Sequence, residues 1–88
     1  MMPRVMDARH AGAYRVWLRF DDGLSGEIEL EDELWGPVFE PLKEVAEFAQ
    51  LRADPELETV VWPNGADFAP EFLYDRLKAT LAARDAAE

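Results

Sequence analysis

Asn64, Asp67 and Glu71 put a side-chain amide and two carboxylates on one short stretch of chain. Oxygen donors gathered there could hold a cation or a small polar ligand. A reading without a ligand also accounts for them. Asn64-Gly65 makes a turn, and Asp67 caps the following helix by accepting backbone N–H bonds. The capping reading is favoured because it explains Asp67 with nothing bound. His10 is the single histidine and Ser25 the single serine. His10 could act as a general base, but the sequence places no nucleophile beside it. With one histidine and no cysteine, a transition-metal site would need carboxylates for its remaining ligands. Glu27, Glu29, Glu31, Asp32 and Glu33 form an acidic run that could attract Ca²⁺, but they lack the D-x-D-x-D-G loop and its distal Glu. No catalytic residue, metal ligand or cofactor is assigned, and an enzyme is the disfavoured class.

Composition narrows the choice further. The 88 residues suffice for one domain, 1–88, with a single modest core. Nearly half the residues are apolar, so the chain is expected to be globular. Zero Cys excludes disulfides, thiolate catalysis and Cys-ligated metal sites. No apolar run of membrane length and no signal-peptide pattern is present, so the cytoplasm is the expected location. Net charge is −10 and unevenly spread. Residues 1–20 carry a local +3, whereas residues 21–47 hold ten acids against Lys43 alone. Such a chain repels phosphate backbones, which disfavours direct DNA or RNA binding and favours a basic partner. Acidity also simply keeps a small protein soluble.

The elements that must position these residues follow from periodicity. Tyr14, Val16, Leu18 and Phe20 alternate with Arg15, Trp17 and Arg19, which predicts a half-buried strand. Leu24, Gly26, Ile28 and Leu30 predict a second. A two-residue turn between them would mix the faces. A three-residue loop, Asp21-Asp22-Gly23, pairs Leu18 with Gly26 and Val16 with Ile28, and it needs positive φ at Gly23. Trp17 then lies opposite Glu27 and Arg15 opposite Glu29, with Arg19 diagonal to Glu27; ion pairs are expected across these strands. Met6, Ala8 and His10 predict an earlier strand. Leu42, Val45, Ala46, Phe48 and Ala49 fit one short helix after Pro41. Leu51 to Ala53 and Thr59 to Trp62 predict two brief strands around an Asp54-Pro55-Glu56 turn. Leu73, Leu77 and Leu81 predict the main helix, opened by Pro70 and Glu71. Its tail is expected to fray from about residue 83.

The run Trp62-Pro63-Asn64-Gly65-Ala66-Asp67 reads as strand, tight corner, helix. With Phe20-Asp21-Asp22-Gly23, Phe39-Glu40-Pro41-Leu42 and Pro70-Glu71-Phe72-Leu73-Tyr74, it resembles the bacterial domain-of-unknown-function family 2442, from about Arg4 to Tyr74. W-P-N-G-x-D followed by P-E-x-L-Y is the specific part. The resemblance implies no established activity and transfers no catalytic residue. It implies an accessory or regulatory protein, with some members like one half of a two-gene toxin–antitoxin-like pair and some fused to a helix-turn-helix domain. The residues after Tyr74 are too few for such a domain, so a stand-alone partner protein is expected.

The architecture expected is α+β. An antiparallel sheet of four or five strands, mostly a meander, packs on the C-terminal helix, with one short helix between. The function expected is protein–protein interaction. Glu31, Asp32 and Glu33 are candidate contacts for a basic partner, and Trp35 beside Gly36-Pro37 is a candidate aromatic anchor. Trp17 has three open readings: covered by a second layer, stacked on by Arg15 and Arg19, or itself an anchor. Trp62 is assigned to the core. The competing classes are a ligand-binding or catalytic domain using the Asn64, Asp67, Glu71 corner, and a homo-oligomer, such as a homodimer, joined through sheet edges.

Overall fold

Alternation of apolar and polar residues builds the first sheet. The computed structural model describes residues 2–86 and contains β1 (Val5–His10), β2 (Arg15–Phe20) and β3 (Ser25–Glu29), antiparallel in that order. Leu18 stands opposite Gly26 and Val16 opposite Ile28, the register that a three-residue loop requires. The Phe20 N–H donates to Leu24 O at 2.8 Å, and the Gly23 N–H donates to Phe20 O at 3.0 Å. Gly23 has φ +91°. Asp22 Oδ1 accepts the Leu24 N–H at 2.9 Å. Val16, Leu18, Phe20, Ile28 and Leu30 are thereby buried on one face.

The main helix, α2 (Pro70–Ala86), covers that face with Leu73 and Leu77, both buried. Gly26 makes the close approach possible. A Cβ there would lie 2.9 Å from Leu77 Cδ1, so the missing side chain is the space Leu77 occupies. Tyr74 sets its ring edge-on to Phe20, with centroids 5.0 Å apart, and its hydroxyl donates to Asp22 Oδ2 at 2.5 Å. The hairpin loop is thus tied directly to the helix. The expected fraying from about residue 83 meets a helix that runs to Ala86, and residues 87 and 88 lie outside the described residues. No described helix is long and apolar enough to cross a membrane.

The five strands fall in two sheets. β4 (Arg52–Asp54) and β5 (Thr59–Val61) form a second antiparallel hairpin, where one sheet was expected. Asp54 Oδ1 organises its turn by accepting the N–H groups of Glu56 and Leu57 at 2.8 and 3.0 Å. One backbone bond, Val5 N–H to Glu58 O at 2.9 Å, joins this hairpin to β1.

Two sequence expectations are corrected. The single helix after Pro41 is two pieces, a 3-10 turn at Glu40–Lys43 and α1 (Val45–Phe48). Glu44 between them is extended, at φ −75° and ψ 118°. On a regular helix Leu42 and Phe48 would point about 120° apart. The break lets both reach the core and leaves Val45 exposed. The ion pairs expected for Arg15 with Glu29 and Arg19 with Glu27 are also missing among the described residues, although Arg15 and Glu29 are in register. Solvent-exposed pairs gain little over hydration, so register alone does not form them.

Two outcomes follow. Gly23→Val should lower stability by about 1–2 kcal/mol in urea unfolding, and Gly23→Asn by less, because the left-handed conformation excludes β-branched residues most strongly. Nothing else crowds the position, so the cost is purely conformational.

The Tyr74–Asp22 bond gives a pH signature. Hydrogen bonding from Tyr74, then from the Leu24 N–H, holds the Asp22 carboxyl below its ordinary range. The same bond to Asp22 raises the Tyr74 hydroxyl above its ordinary value. The depressed acid contributes stability above about pH 4, lost as pH falls through its folded value. The raised phenol contributes stability below about pH 10, lost as pH rises through its folded value. Tyr74→Phe should therefore show a deficit at neutral pH that shrinks at both extremes. A deficit constant from acid to alkaline pH would contradict this.

Candidate functional site

The corner after β5 repeats the loop of the first hairpin. The Trp62 N–H donates to Ala66 O at 2.9 Å, and the Gly65 N–H donates to Trp62 O at 3.0 Å. Gly65 has φ +90°. Asn64 Oδ1 accepts the Ala66 N–H at 3.1 Å, as Asp22 Oδ1 accepts that of Leu24. Pro63-Asn64-Gly65 and Asp21-Asp22-Gly23 therefore close the same three-residue hairpin, with an Asx side chain second and a left-handed glycine third. The chain does not pass straight from corner to helix. It returns along β5, with Asp67 bridged to Val61, before α2 begins.

That return corrects the reading of Asp67 as a helix cap. Asp67 is exposed, sits in the bridge, and its carboxylate accepts no hydrogen bond among the described residues. The residue before Pro70 is Ala69, whose side chain cannot cap.

The same return disperses the polar cluster. Asn64 Nδ2 points to Val38 O, 2.9 Å away. Glu71 faces a different feature, a cleft of about 140 Å³ between Met2–Arg4, Leu57–Glu58 and the start of α2. Arg4 and Glu58 close part of that cleft with an ion pair of 2.8 Å. His10 holds the β1–β2 turn, with Nε2 2.8 Å from Ala13 O, and leans edge-on to Phe48. Asn64, Asp67, Glu71 and His10 thus have four separate environments. Among the described residues no group of three potential metal ligands converges.

Trp62 serves the core. Only 2% exposed, it donates from Nε1 to Phe48 O at 2.9 Å. Its ring centroid lies 5.6 Å from that of Phe48 and 5.8 Å from that of Phe68, which in turn stacks on Phe39 and Phe72. Two more donors reach the same irregular segment: Asn64 to Val38 O, and the Tyr14 hydroxyl to Lys43 O. Side chains from elsewhere thus satisfy three carbonyls of residues 31–50, alongside local backbone bonds and the buried side chains of Leu34, Leu42 and Phe48.

On the outside of this segment stands Trp35, 70% exposed. Gly36 O accepts the N–H groups of both Phe39 and Glu40, which fixes the turn behind it. Val38 and Val45 on the same segment are also exposed. Glu31, Glu44 and Glu47 are exposed and unpaired among the described residues. Asp32 and Glu33 differ: Arg76 binds them at 3.4 and 3.1 Å and also donates to Glu29 O at 3.0 Å. Its guanidinium lies over Phe72, 5.4 Å from the ring centroid. Arg76 was not singled out from the sequence. Its helical spacing from Phe72 was visible, but its acidic partners lie more than forty residues away. Trp17 is half-buried, and the arginine over it is Arg9 from β1, at 5.5 Å, in place of Arg15 or Arg19.

Fold and corner together define a small α+β domain in which a strand ends in an Asx-Gly hairpin whose return arm leads into a long helix. The chain belongs to the family described as protein of unknown function (DUF2442), whose profile matches residues 5–79, well over half its length. It matches no curated protein and no solved structure.

Trp62→Phe keeps an aromatic ring and removes the indole donor. It should cost about 1–2 kcal/mol in urea unfolding, from the lost hydrogen bond and the reduced ring volume. A midpoint equal to wild type would show that apolar packing alone holds the segment.

Proposed function

We propose that this protein is an acidic interaction module that docks a basic partner protein through the surface of residues 31–47. The observation that carries the reading is Trp35, 70% exposed on a turn fixed by Gly36, in a segment that also carries the unpaired carboxylates of Glu31, Glu44 and Glu47. A large aromatic left in water on a rigid turn supports an anchor role, since burying it in a partner's pocket is favourable and costs little further ordering. Glu31, Glu44 and Glu47 supply the long-range attraction. Asp32 and Glu33 contribute less, because Arg76 already offsets their charge. The regulatory or antitoxin-like role implied by the family resemblance is one biological form of this reading.

Affinity capture from the native cell, followed by mass spectrometry, identifies the partner. The captured pair should then associate more slowly as salt rises. Neutralising Glu31, Glu44 and Glu47 together should reduce the association rate about tenfold, with a smaller change in dissociation. Trp35→Ala should mainly speed dissociation. Substitution of Arg15 and Arg19, on the opposite-charged strand, is the control. Binding that ignores salt, the triple variant and Trp35→Ala would exclude this surface.

A further inference from the structure

We propose that Asn64 is a chemical modification site: its deamidation loosens the segment that carries Trp35. Asn64 precedes Gly65, and both are exposed. A following glycine offers its backbone nitrogen with no side chain to obstruct attack on the Asn side-chain carbonyl carbon. In the first step the Gly65 nitrogen bonds to Asn64 Cγ. The Cγ–Nδ2 bond breaks, and Nδ2 departs as ammonia with the proton that the Gly65 nitrogen loses. The product is a cyclic succinimide. Water then opens the ring at either carbonyl, leaving aspartate or isoaspartate at position 64. No oxidant or reductant takes part.

The fold restrains this reaction. The Gly65 N–H is engaged with Trp62 O, and the Asn64 amide holds both Ala66 N and Val38 O. Conversion therefore proceeds when the corner opens, and its rate follows that opening.

The first hairpin shows what the aspartate product would do. Asp22 already occupies the equivalent loop position, and its Oδ1 accepts the Leu24 N–H at 2.9 Å. A carboxylate at position 64 can keep the matching bond to Ala66 and hence the turn. It cannot donate to Val38 O, and it sets a negative charge against that carbonyl. Among the described residues, the Asn64 bond to Val38 is the one hydrogen bond reaching residues 34–42 from elsewhere in the chain; the others there are local. The aspartate product takes from the Trp35 turn its one hydrogen bond to a distant residue, leaving it held by buried Leu34 and Leu42, while sparing the hairpin. The isoaspartate product also lengthens the main chain and disrupts the hairpin itself. The effect on partner binding rests on the proposed function, whereas the chemistry and the loosening do not.

The test uses the untagged full chain. Wild-type protein is held in mildly alkaline buffer with and without denaturing urea. Position 64 is followed by peptide mass mapping, with isoaspartate detection separating the two products. Folded protein should convert at position 64, several-fold more slowly than in urea. The aspartate form, purified by anion exchange from aged protein, and the Asn64→Asp variant should both show faster amide exchange at Phe39, Glu40 and Leu42. The change should be roughly five- to tenfold, as for loss of one hydrogen bond of ordinary strength. Exchange at Gly23 and Leu24 should stay unchanged. Folded protein still intact at position 64 after the urea sample is fully converted would overturn the site. Unchanged exchange at residues 39–42 in the purified aspartate form would overturn the loosening. Neither readout needs a partner, so failure here is distinct from failure of the docking reading.

Discussion

The indole N–H of Trp62, buried and donated to Phe48 O at 2.9 Å, is the contact on which the arrangement of this domain turns. It joins β5 to the end of the irregular segment and does so inside an aromatic cluster. Phe48 carries that cluster towards Tyr14 and the first sheet, and Phe68 carries it towards Phe39 and α2. The ring supplies apolar burial and the N–H satisfies a carbonyl, two needs that one other residue type rarely meets together. Among the described residues the two sheets share a single backbone bond outside their ladders, so side chains must do much of the joining.

The repeated Asx-Gly loop is the second organising feature. In both copies the turn is completed by a side-chain oxygen and a left-handed glycine, yet the far side of the Asx residue does something different. Asp22 receives the Tyr74 hydroxyl and fixes the hairpin to α2. Asn64 donates to Val38 O and fixes the Trp35 turn. A carboxylate can only accept and an amide can also donate, so the choice of Asp or Asn matches the partner at each place.

Charge is laid out with similar selectivity. Arg76 gathers Asp32, Glu33 and the Glu29 carbonyl, so part of the acidic stretch belongs to the fold. By occupying Glu29 O it also covers one acceptor at the end of β3, which makes that edge less open to another strand. The carboxylates that remain unpaired lie on the same segment, residues 31–47, as an exposed tryptophan, the combination on which the docking proposal rests.

Local chemistry made much of this legible in the sequence. Period-two alternation predicted β1 to β3, and the requirement that Val16 and Leu18 share a face with Ile28 and Gly26 decided the register of β2 and β3. Leu73 and Leu77 marked the buried side of α2. Membership of the family followed from the W-P-N-G-x-D and P-E-x-L-Y runs. All of these depend on neighbours a few residues apart. Contacts between distant residues were decided by tertiary structure. Asp67 looked like a cap because it stands near Pro70; the bridge to Val61 instead draws it along β5. The helix after Pro41 looked continuous because its apolar spacing allowed it. It breaks at Glu44 because Leu42 and Phe48 must both reach the core, while Tyr14 takes the Lys43 carbonyl. Arg76 with its acids, Arg9 over Trp17 and Asn64 against Val38 were hidden for the same reason. A sequence records what each side chain can offer, and only the folded chain decides which distant group receives it.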